Sequence, residues 1–347
     1  MRTLKQHALV ALDHLGTDRI FRYLNRDKLL VVMYHGVTVQ SYTPAVWTQL
    51  PVYSFRRQLE FLLKHYQIVT LDDLVRAVCG EQPLPERAAL ITFDDGVKNN
   101  FTVAYPILRE YGVPATIFLT MDLIGSDEFL WFDELYLLIR EGLLRGVALN
   151  LPESAERQYQ EGDVWASYAT SVEALKRAGT RRREAFLYHL RSRVPLEREQ
   201  WLEDFGLLGW DEVRAMERSG LVSFGVHTAT HRILSELDDD ELVAEVLAPR
   251  QRFSDMVGSE TVSFCFPNGR PGIDFGKVHQ TFLRSCGYRC AFTTDNTLFD
   301  WRSGDSMGIG RISVGDDITS DPLFFRLNAS GALSFLKYLL NRRSSFP

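Results

Sequence analysis

The sequence predicts an α/β fold on parallel strands, as an α/β barrel or an open doubly wound sheet, with a helical insertion. Short aliphatic or aromatic runs alternate with amphipathic stretches along most of the chain, and strands in such alternation are joined by crossovers and lie parallel. The alternation breaks once, from about Ser126 to Gly209, where the residues read as several helices rich in Arg and Glu. That stretch is far longer than a usual connection, so it is expected to be an inserted helical subdomain.

The elements follow in order. Residues 1–28 form an N-terminal segment in which Leu4, Ala8, Leu12 and Leu15 fall at helical spacing. Such a stripe either docks on the domain or lies on a membrane surface. Strands are expected at Leu29–Tyr34, Ala88–Phe93, Ala115–Thr120, Leu221–Val226, Thr261–Phe266, Tyr288–Thr294 and Ile309–Val314, each as apolar as a strand buried on both faces. Thr70-Leu-Asp-Asp73 resembles a capping box, and Gly80 is placed to stop the helix it opens. A second helix carries Val103, Ile107, Leu108 and Tyr111 and ends at Gly112, with Pro114 beyond. Two more are expected from about Asp238 to Val257 and from about Phe275 to Cys286, the latter closed by Gly287. The main domain therefore comprises 29–125 and 210–318, the insertion 126–209, and a helical tail 319–347.

Composition narrows the class. Apolar residues make up 45% of the 347, ample for a core, and the net charge of −6 opposes general nucleic-acid binding, which needs a basic face. Four cysteines are too few and scattered for a disulfide framework. Cys286 and Cys290 lie four apart without a second thiol pair, so they are read as buried core thiols. No apolar run is long enough to span a membrane, and charges interrupt every apolar run near the N-terminus, unlike a secretory signal. The expected compartment is the cytoplasm.

Four polar motifs each follow a predicted strand: Tyr34-His35-Gly36, Thr92-Phe93-Asp94-Asp95-Gly96, His227-Thr-Ala-Thr-His231 and Phe266-Pro267-Asn268-Gly269. In parallel α/β folds the active site forms at the carboxyl ends of strands. Asp-Asp recurs elsewhere at expected caps and turns, but Asp94-Asp95 follows a buried run and delivers two carboxylates to one strand end. Adjacent buried carboxylates repel, and a cation resolves the conflict. His227 and His231 are four apart, a spacing that on a helical turn puts both rings on one side of a metal ion. Thr228 cannot serve as the base that follows the first His in zinc proteases, so base and third ligand must come from elsewhere, and Asp94 and Asp95 are the obvious suppliers.

These motifs resemble the first two of the polysaccharide deacetylases, the NodB-type domain of carbohydrate esterase family four, over roughly Leu29–Ile124 and Trp210–Val314. The resemblance implies a distorted, incomplete (β/α) barrel of about seven parallel strands. It implies that Asp94 is the catalytic base, and that Asp95, His227 and His231 hold a divalent metal ion, with zinc the expected metal. Two family features are missing. Cys265 stands where many members have an Arg that pairs with the catalytic Asp, and Asn268 where they have an aromatic; Arg270 and Arg311 are the candidate replacements for the Arg. No histidine follows the final strand, whereas many members take their general acid from there. The branch that deacetylates bacterial exopolysaccharides instead has an N-terminal Tyr-His, which Leu30-Val-Val-Met-Tyr-His35 resembles; His35 becomes the candidate acid. A backbone N–H of the Pro267–Gly269 turn is the expected oxyanion donor.

The expected reaction is hydrolysis of N-acetyl groups on an amino-sugar glycan or a lipid-linked glycan intermediate. Two alternatives stand beside it: C–N hydrolysis of a small amide or purine-type substrate, and an inactive glycan-binding relative. Apolar-basic stretches at both ends, including Phe324–Arg343, add the expectation of peripheral association with the inner face of a bacterial membrane. Oligomeric state has no signature in the sequence.

Overall fold

The computed structural model describes residues 12, 15–40 and 42–343. Leu4 and Ala8 of the N-terminal stripe lie outside them. Two compact units emerge, one of residues 1–41, 45–126 and 208–347, the other of 42–44 and 127–207.

The first unit carries the strands β1 (Leu30–Tyr34), β2 (Gly36–Thr38), β3 (Gln49–Pro51), β4 (Gln67–Ile68), β5 (Ala88–Phe93), β6 (Ala115–Leu119), β7 (Val222–Val226), β8 (Ser263–Cys265), β9 (Cys290–Phe292) and β10 (Ile312–Ser313). The main sheet runs β10-β1-β5-β6-β7-β8-β9, with β4 added beside the start of β5, and every pairing is parallel. This sheet curls into an incomplete barrel, its seam crossed by one bridge from Phe292 to Ile309. All seven expected strands are present, most of them shorter than expected. The strands β2, β3 and β4 were not foreseen, because two or three residues carry no legible alternation.

The chemistry of the runs explains the curl. Every residue of β1, β5 and β6 is buried, so both faces of the sheet are covered. Val31, Leu90, Phe118, Cys265 and Phe292 come from five different strands yet share one core cluster with Ile309, Leu71, Leu74 and Ala77. Each large side chain so buried contributes about 1.5–3 kcal/mol.

The helices that frame this sheet are α1 (Thr17–Leu24), α2 (Val52–His65), α3 (Leu71–Val78) and α4 (Tyr105–Tyr111) before the second unit. The capping box at Thr70 is present in both directions, with Cys79 as the C-cap and Gly80 just beyond it at φ +78°. Gly112 closes α4 in the left-handed conformation at φ 64°, which costs a residue without Cβ little. The second unit is helical: α5 (Trp131–Leu144), α6 (Glu153–Gln160), α7 (Val164–Ala178), α8 (Thr180–Arg193) and the single turn α9 (Leu202–Phe205). Its core takes Leu135, Leu138, Leu187 and Leu190, and Glu134 is held there by Arg191 and Arg198.

After the second unit come α10 (Trp210–Arg218), α11 (Asp239–Leu242), α12 (Ala248–Val257), α13 (Lys277–Ser285), α14 (Pro322–Ala329) and α15 (Ala332–Arg343). The single helix expected over Asp238–Val257 is divided by a π turn at Val243–Leu247. Pro249 is the physical reason: it has no N–H to give the carbonyl four residues earlier, that of Glu245. The helical tail comprises two helices, with Gly331 (φ +83°) between them. No helix among the described residues is long and apolar enough to cross a membrane.

Candidate active site

Asp94 and Asp95 extend β5 by a turn. The Asp94 N–H bonds to Tyr34 O at 2.9 Å, continuing the β1–β5 ladder by one residue. Asp95 then turns left-handed at φ 73°, and Gly96 follows at φ 77°, where an added Cβ would stand 2.7 Å from the Leu119 side chain. The two carboxylates are buried at 3% and 1% exposure and diverge to different partners.

Asp94 belongs to Arg311. Nη1 and Nη2 of the guanidinium reach Oδ1 and Oδ2 at 2.6 and 2.7 Å, a bidentate pair with no solvent exposure on the Arg311 side chain. The remaining donors are occupied: Nε bonds to Thr293 O at 3.0 Å, while Nη1 reaches Thr92 Oγ1 at 3.3 Å and Nη2 reaches Cys265 Sγ at 3.0 Å. Burial alone would raise the Asp94 carboxyl, but the guanidinium outweighs it and holds the group well below the usual carboxylate range. Arg311 is raised in turn: burial lowers it, and the Asp94 charge overcomes burial. Of the two arginines left open by the sequence, Arg311 makes this contact. Arg270 instead forms a bidentate pair with Asp274, both bonds at 2.9 Å, four residues along its own loop. Local geometry favours that pairing, because the backbone N–H of Arg270 also bonds to Asp274.

Asp95 meets the histidines. Its Oδ1 lies 3.4 Å from Nε2 of His227 and 3.4 Å from Nε2 of His231. The His227 Nδ1 is 2.9 Å from Cys265 O, which makes Nδ1 the protonated nitrogen and turns the Nε2 lone pair toward Asp95. Burial lowers His227, and burial together with the His227 charge lowers His231 well below the ordinary value, so both rings are neutral and able to ligate. Among the described residues, two donor groups are compact enough for a metal ion, Asp95-His227-His231 and Asp94-His227-Cys265. Only the first suits a divalent ion. In the second, Asp94 is already neutralised by Arg311, and burial keeps the Cys265 thiol protonated.

The histidine spacing works by a different geometry from the helical turn expected. Residues 228–230 form a turn, with left-handed backbone at Thr228 (φ 62°) and again at His231 (φ 62°). A β-branched residue rarely adopts that conformation, and the surroundings enforce it. Met121 N–H bonds to Thr228 O, Asp122 N–H to Ala229 O, and Thr230 N–H and hydroxyl bond to the buried Glu245 carboxylate. The Ala229 N–H reaches Glu245 O at 3.1 Å, the carbonyl that Pro249 leaves without a helical donor.

His35 sits at the same rim, its Nε2 4.0 Å from Asp95 Oδ2. Trp47 contacts the ring edge-on at 5.1 Å between centroids, and Asn100 donates to His35 O at 2.7 Å. Trp47 is held close by Gly315, where a Cβ would lie 2.4 Å from Trp47 O. Burial pushes His35 down to about 4.

The Pro267–Gly269 turn is anchored on Thr294. The Thr294 hydroxyl donates to Asn268 O at 2.5 Å, and its N–H donates to Gly269 O at 3.0 Å. Within the turn, the Gly269 N–H bonds to Pro267 O at 2.7 Å. Asn268 is left-handed at φ 59°. The sequence reading did not find Trp47, Asn100, Thr293 or Glu245. None sits in a motif, and their roles come from contacts between distant elements.

Comparison with known proteins identifies the family. The Polysaccharide deacetylase family model matches residues 81–291. A poly-β-1,6-N-acetyl-D-glucosamine N-deacetylase of Staphylococcus epidermidis is 23% identical over 221 residues, covering 58% of this chain and 69% of its own. YxkH of Bacillus subtilis, named for the same family, is 29% identical over 117 residues, 33% of this chain and 40% of that protein. Among solved structures, the deacetylase PplD of Streptococcus pyogenes superposes with TM-score 0.56 at 16% identity, covering 86% of this chain and 97% of that one. IcaB of Ammonifex degensii gives 0.55 at 19% identity, covering 88% and 97%. At such identities the structural likeness speaks for the fold, the incomplete barrel already described. The matched segment runs from before β5 to β9, holds both the Asp pair and the histidine pair, and places this chain in the polysaccharide deacetylase family.

Proposed function

We propose that this protein is a metal-dependent N-deacetylase of a glycan built on N-acetylglucosamine, acting on the polymer or its lipid-linked precursor. The observation that carries the reading is the division of labour between adjacent carboxylates. Asp94 is fixed and ionised by Arg311, while Asp95 faces two neutral imidazoles. The substrate class is taken from the Staphylococcus epidermidis relative, whose name specifies that polymer.

Asp95, His227 and His231 would hold the ion, and two imidazoles with one carboxylate are a donor set that suits zinc. When bound, the ion supplies Lewis acidity toward the acetyl carbonyl and makes water acidic enough to react near neutral pH. Asp94 takes the proton from the attacking water as the new C–O bond forms. Arg311 keeps that carboxylate oriented and unprotonated until then. Cleavage of the C–N bond requires a proton on nitrogen, and His35 is the residue we assign to deliver it. The ring is neutral at rest, so it first takes up a proton from solvent, a step the nearby Asp94 charge favours, and Asp94 returns its proton to solvent after the products form. The products are acetate and a free amine.

The direct test measures acetate released from N-acetylglucosamine oligomers by zinc-loaded and chelator-treated protein. Release that depends on the metal supports the reading. Absence of release from loaded protein, with ammonia freed from small amides instead, would reassign the substrate.

A further inference from the structure

We propose that the face formed by α1, the C-terminal end of α2 and α15 docks on an anionic phospholipid bilayer. This goes beyond the deacetylase reading and does not depend on it. Two observations converge on one side of the first unit. A cavity of about 470 Å³ is lined by five cations, Arg19, Arg22, Lys64, Arg87 and Arg326, together with Tyr23 and His65 and no acidic residue. Arg22 is paired with Asp18, and Arg19, Lys64 and Arg87 still concentrate positive charge here on a chain of net charge −6. The rest of such a protein is repelled by an anionic surface, so a concentrated basic site orients it.

Beside the cavity lies exposed apolar surface. On α1, Ile20, Tyr23 and Leu24 are 55, 60 and 62% exposed, on the same helix as Arg19 and Arg22. On α15, Phe335, Tyr338 and Leu339 are 46, 52 and 42% exposed at i, i+3 and i+4, hence on one helical face. The rings of Phe21 and Phe335 lie 5.3 Å apart, which joins the two helices into one patch. Aromatic and aliphatic side chains beside Arg and Lys are what an interfacial element presents to headgroups and acyl chains. Charge complementarity selects the occupant. A soluble anion would fill the cavity and leave the apolar rows uncovered, whereas a bilayer of acidic lipids satisfies both.

The test is flotation of the full chain with vesicles of phosphatidylglycerol and phosphatidylcholine against vesicles of phosphatidylcholine alone. Binding is expected on the anionic vesicles and not on the neutral ones, and it should weaken as salt is raised. Arg19→Glu with Lys64→Glu should weaken it about tenfold or more, since each basic residue near the surface adds to the attraction. Ile20→Ser with Leu24→Ser should weaken it at unchanged charge. Both double variants lie on the exposed surface, and unchanged thermal melting confirms their fold. Equal binding to both vesicle types, or undiminished binding by either variant, would overturn the proposal. Binding of inorganic phosphate with no flotation would make the cavity a soluble-anion site instead. A dimer in sedimentation that Ile20→Ser with Leu24→Ser dissociates, again with no flotation, would give the face to a second copy.

Discussion

Arg311 and Asp94, 217 residues apart in sequence, meet through two parallel hydrogen bonds of 2.6 and 2.7 Å in the buried barrel. The arginine comes from beside β10 and the aspartate from the end of β5, and β1 separates those strands in the sheet. Cys265, where the sequence resemblance led to the expectation of an arginine, touches both partners, with Sγ 3.5 Å from Asp94 and 3.0 Å from Arg311. The guanidinium that neutralises Asp94 therefore arrives from beside β10 rather than from β8. A small thiol at residue 265 leaves room for a guanidinium arriving from the other side.

Arg311→Met tests what that pair does. Removing one partner of a buried ion pair strands the other and costs about 3–5 kcal/mol. With Arg311 present, the Asp94 carboxyl is depressed, so its stabilisation is full above the unfolded carboxylate pKa and is lost as pH falls toward the lower folded value. Without it, burial raises the carboxyl, and the acidic limb of the kcat profile should move to higher pH. The stability deficit should be greatest at neutral pH and shrink in acid, where Asp94 takes up a proton. Urea unfolding at several pH values together with a pH–rate profile reads both effects. An unmoved acidic limb would dissociate Asp94 from proton transfer.

Metal removal separates the two carboxylates. Zinc added to chelator-treated protein should raise the melting temperature, since a ligand of the folded state at a hundredfold its Kd stabilises by about 2.7 kcal/mol. His231→Ala should abolish both that shift and activity. Asp94→Asn should retain bound zinc by elemental analysis while losing about 10²–10⁴-fold in kcat. Loss of zinc in Asp94→Asn would mean that the second donor group, with His227 and Cys265, is the one in use.

His35 is tested by changing the leaving group. An activated acetyl ester departs without a proton and an amide does not, so His35→Ala should slow amide cleavage far more than ester cleavage. Trp47→Ala should show a weaker form of the same asymmetry, because the indole only positions the imidazole through its edge-on contact. Equal losses on both substrates in His35→Ala would assign the ring to substrate binding.

Much of this architecture is legible in the chain because its signals are local. Each of the seven apolar runs became a strand of the main sheet, and the Thr70 capping box closed as its residue types require. The motif residues were legible for a related reason: a polar residue directly after a buried run has little choice but to sit at a strand end. What stayed hidden depends on long-range geometry. Arg311 was one of two candidates, but in the apolar run just before β10, beside Ile309 and Ile312, no local pattern selected it over Arg270. The left-handed backbone at Asp95, Thr228 and His231 is equally silent, since any residue other than glycine adopts it only uncommonly. The histidine spacing was therefore read as a helical turn, although tertiary hydrogen bonds impose a different one.

Glu245 and Pro249 are the residues through which that imposed turn can be loosened. Glu245 is buried and grips Thr230 by its carboxylate, at 2.5 Å to the hydroxyl and 2.9 Å to the N–H, while its carbonyl accepts from Ala229 at 3.1 Å. Glu245→Ala removes the side-chain bonds and leaves the carbonyl, so the His227–His231 turn relaxes at one end. Zinc affinity should fall about 10–100-fold, the usual effect of losing a partner that orients a ligand. Pro249→Ala acts on the other bond. It restores an N–H at position 249 that competes with Ala229 for Glu245 O and draws Val243–Leu247 toward a regular helix. Hydrogen exchange at the Ala229 amide should then accelerate, with a smaller loss of zinc affinity than in Glu245→Ala. If exchange at Ala229 is unchanged, the π turn is maintained by packing, and the proline merely tolerates a conformation that other contacts impose.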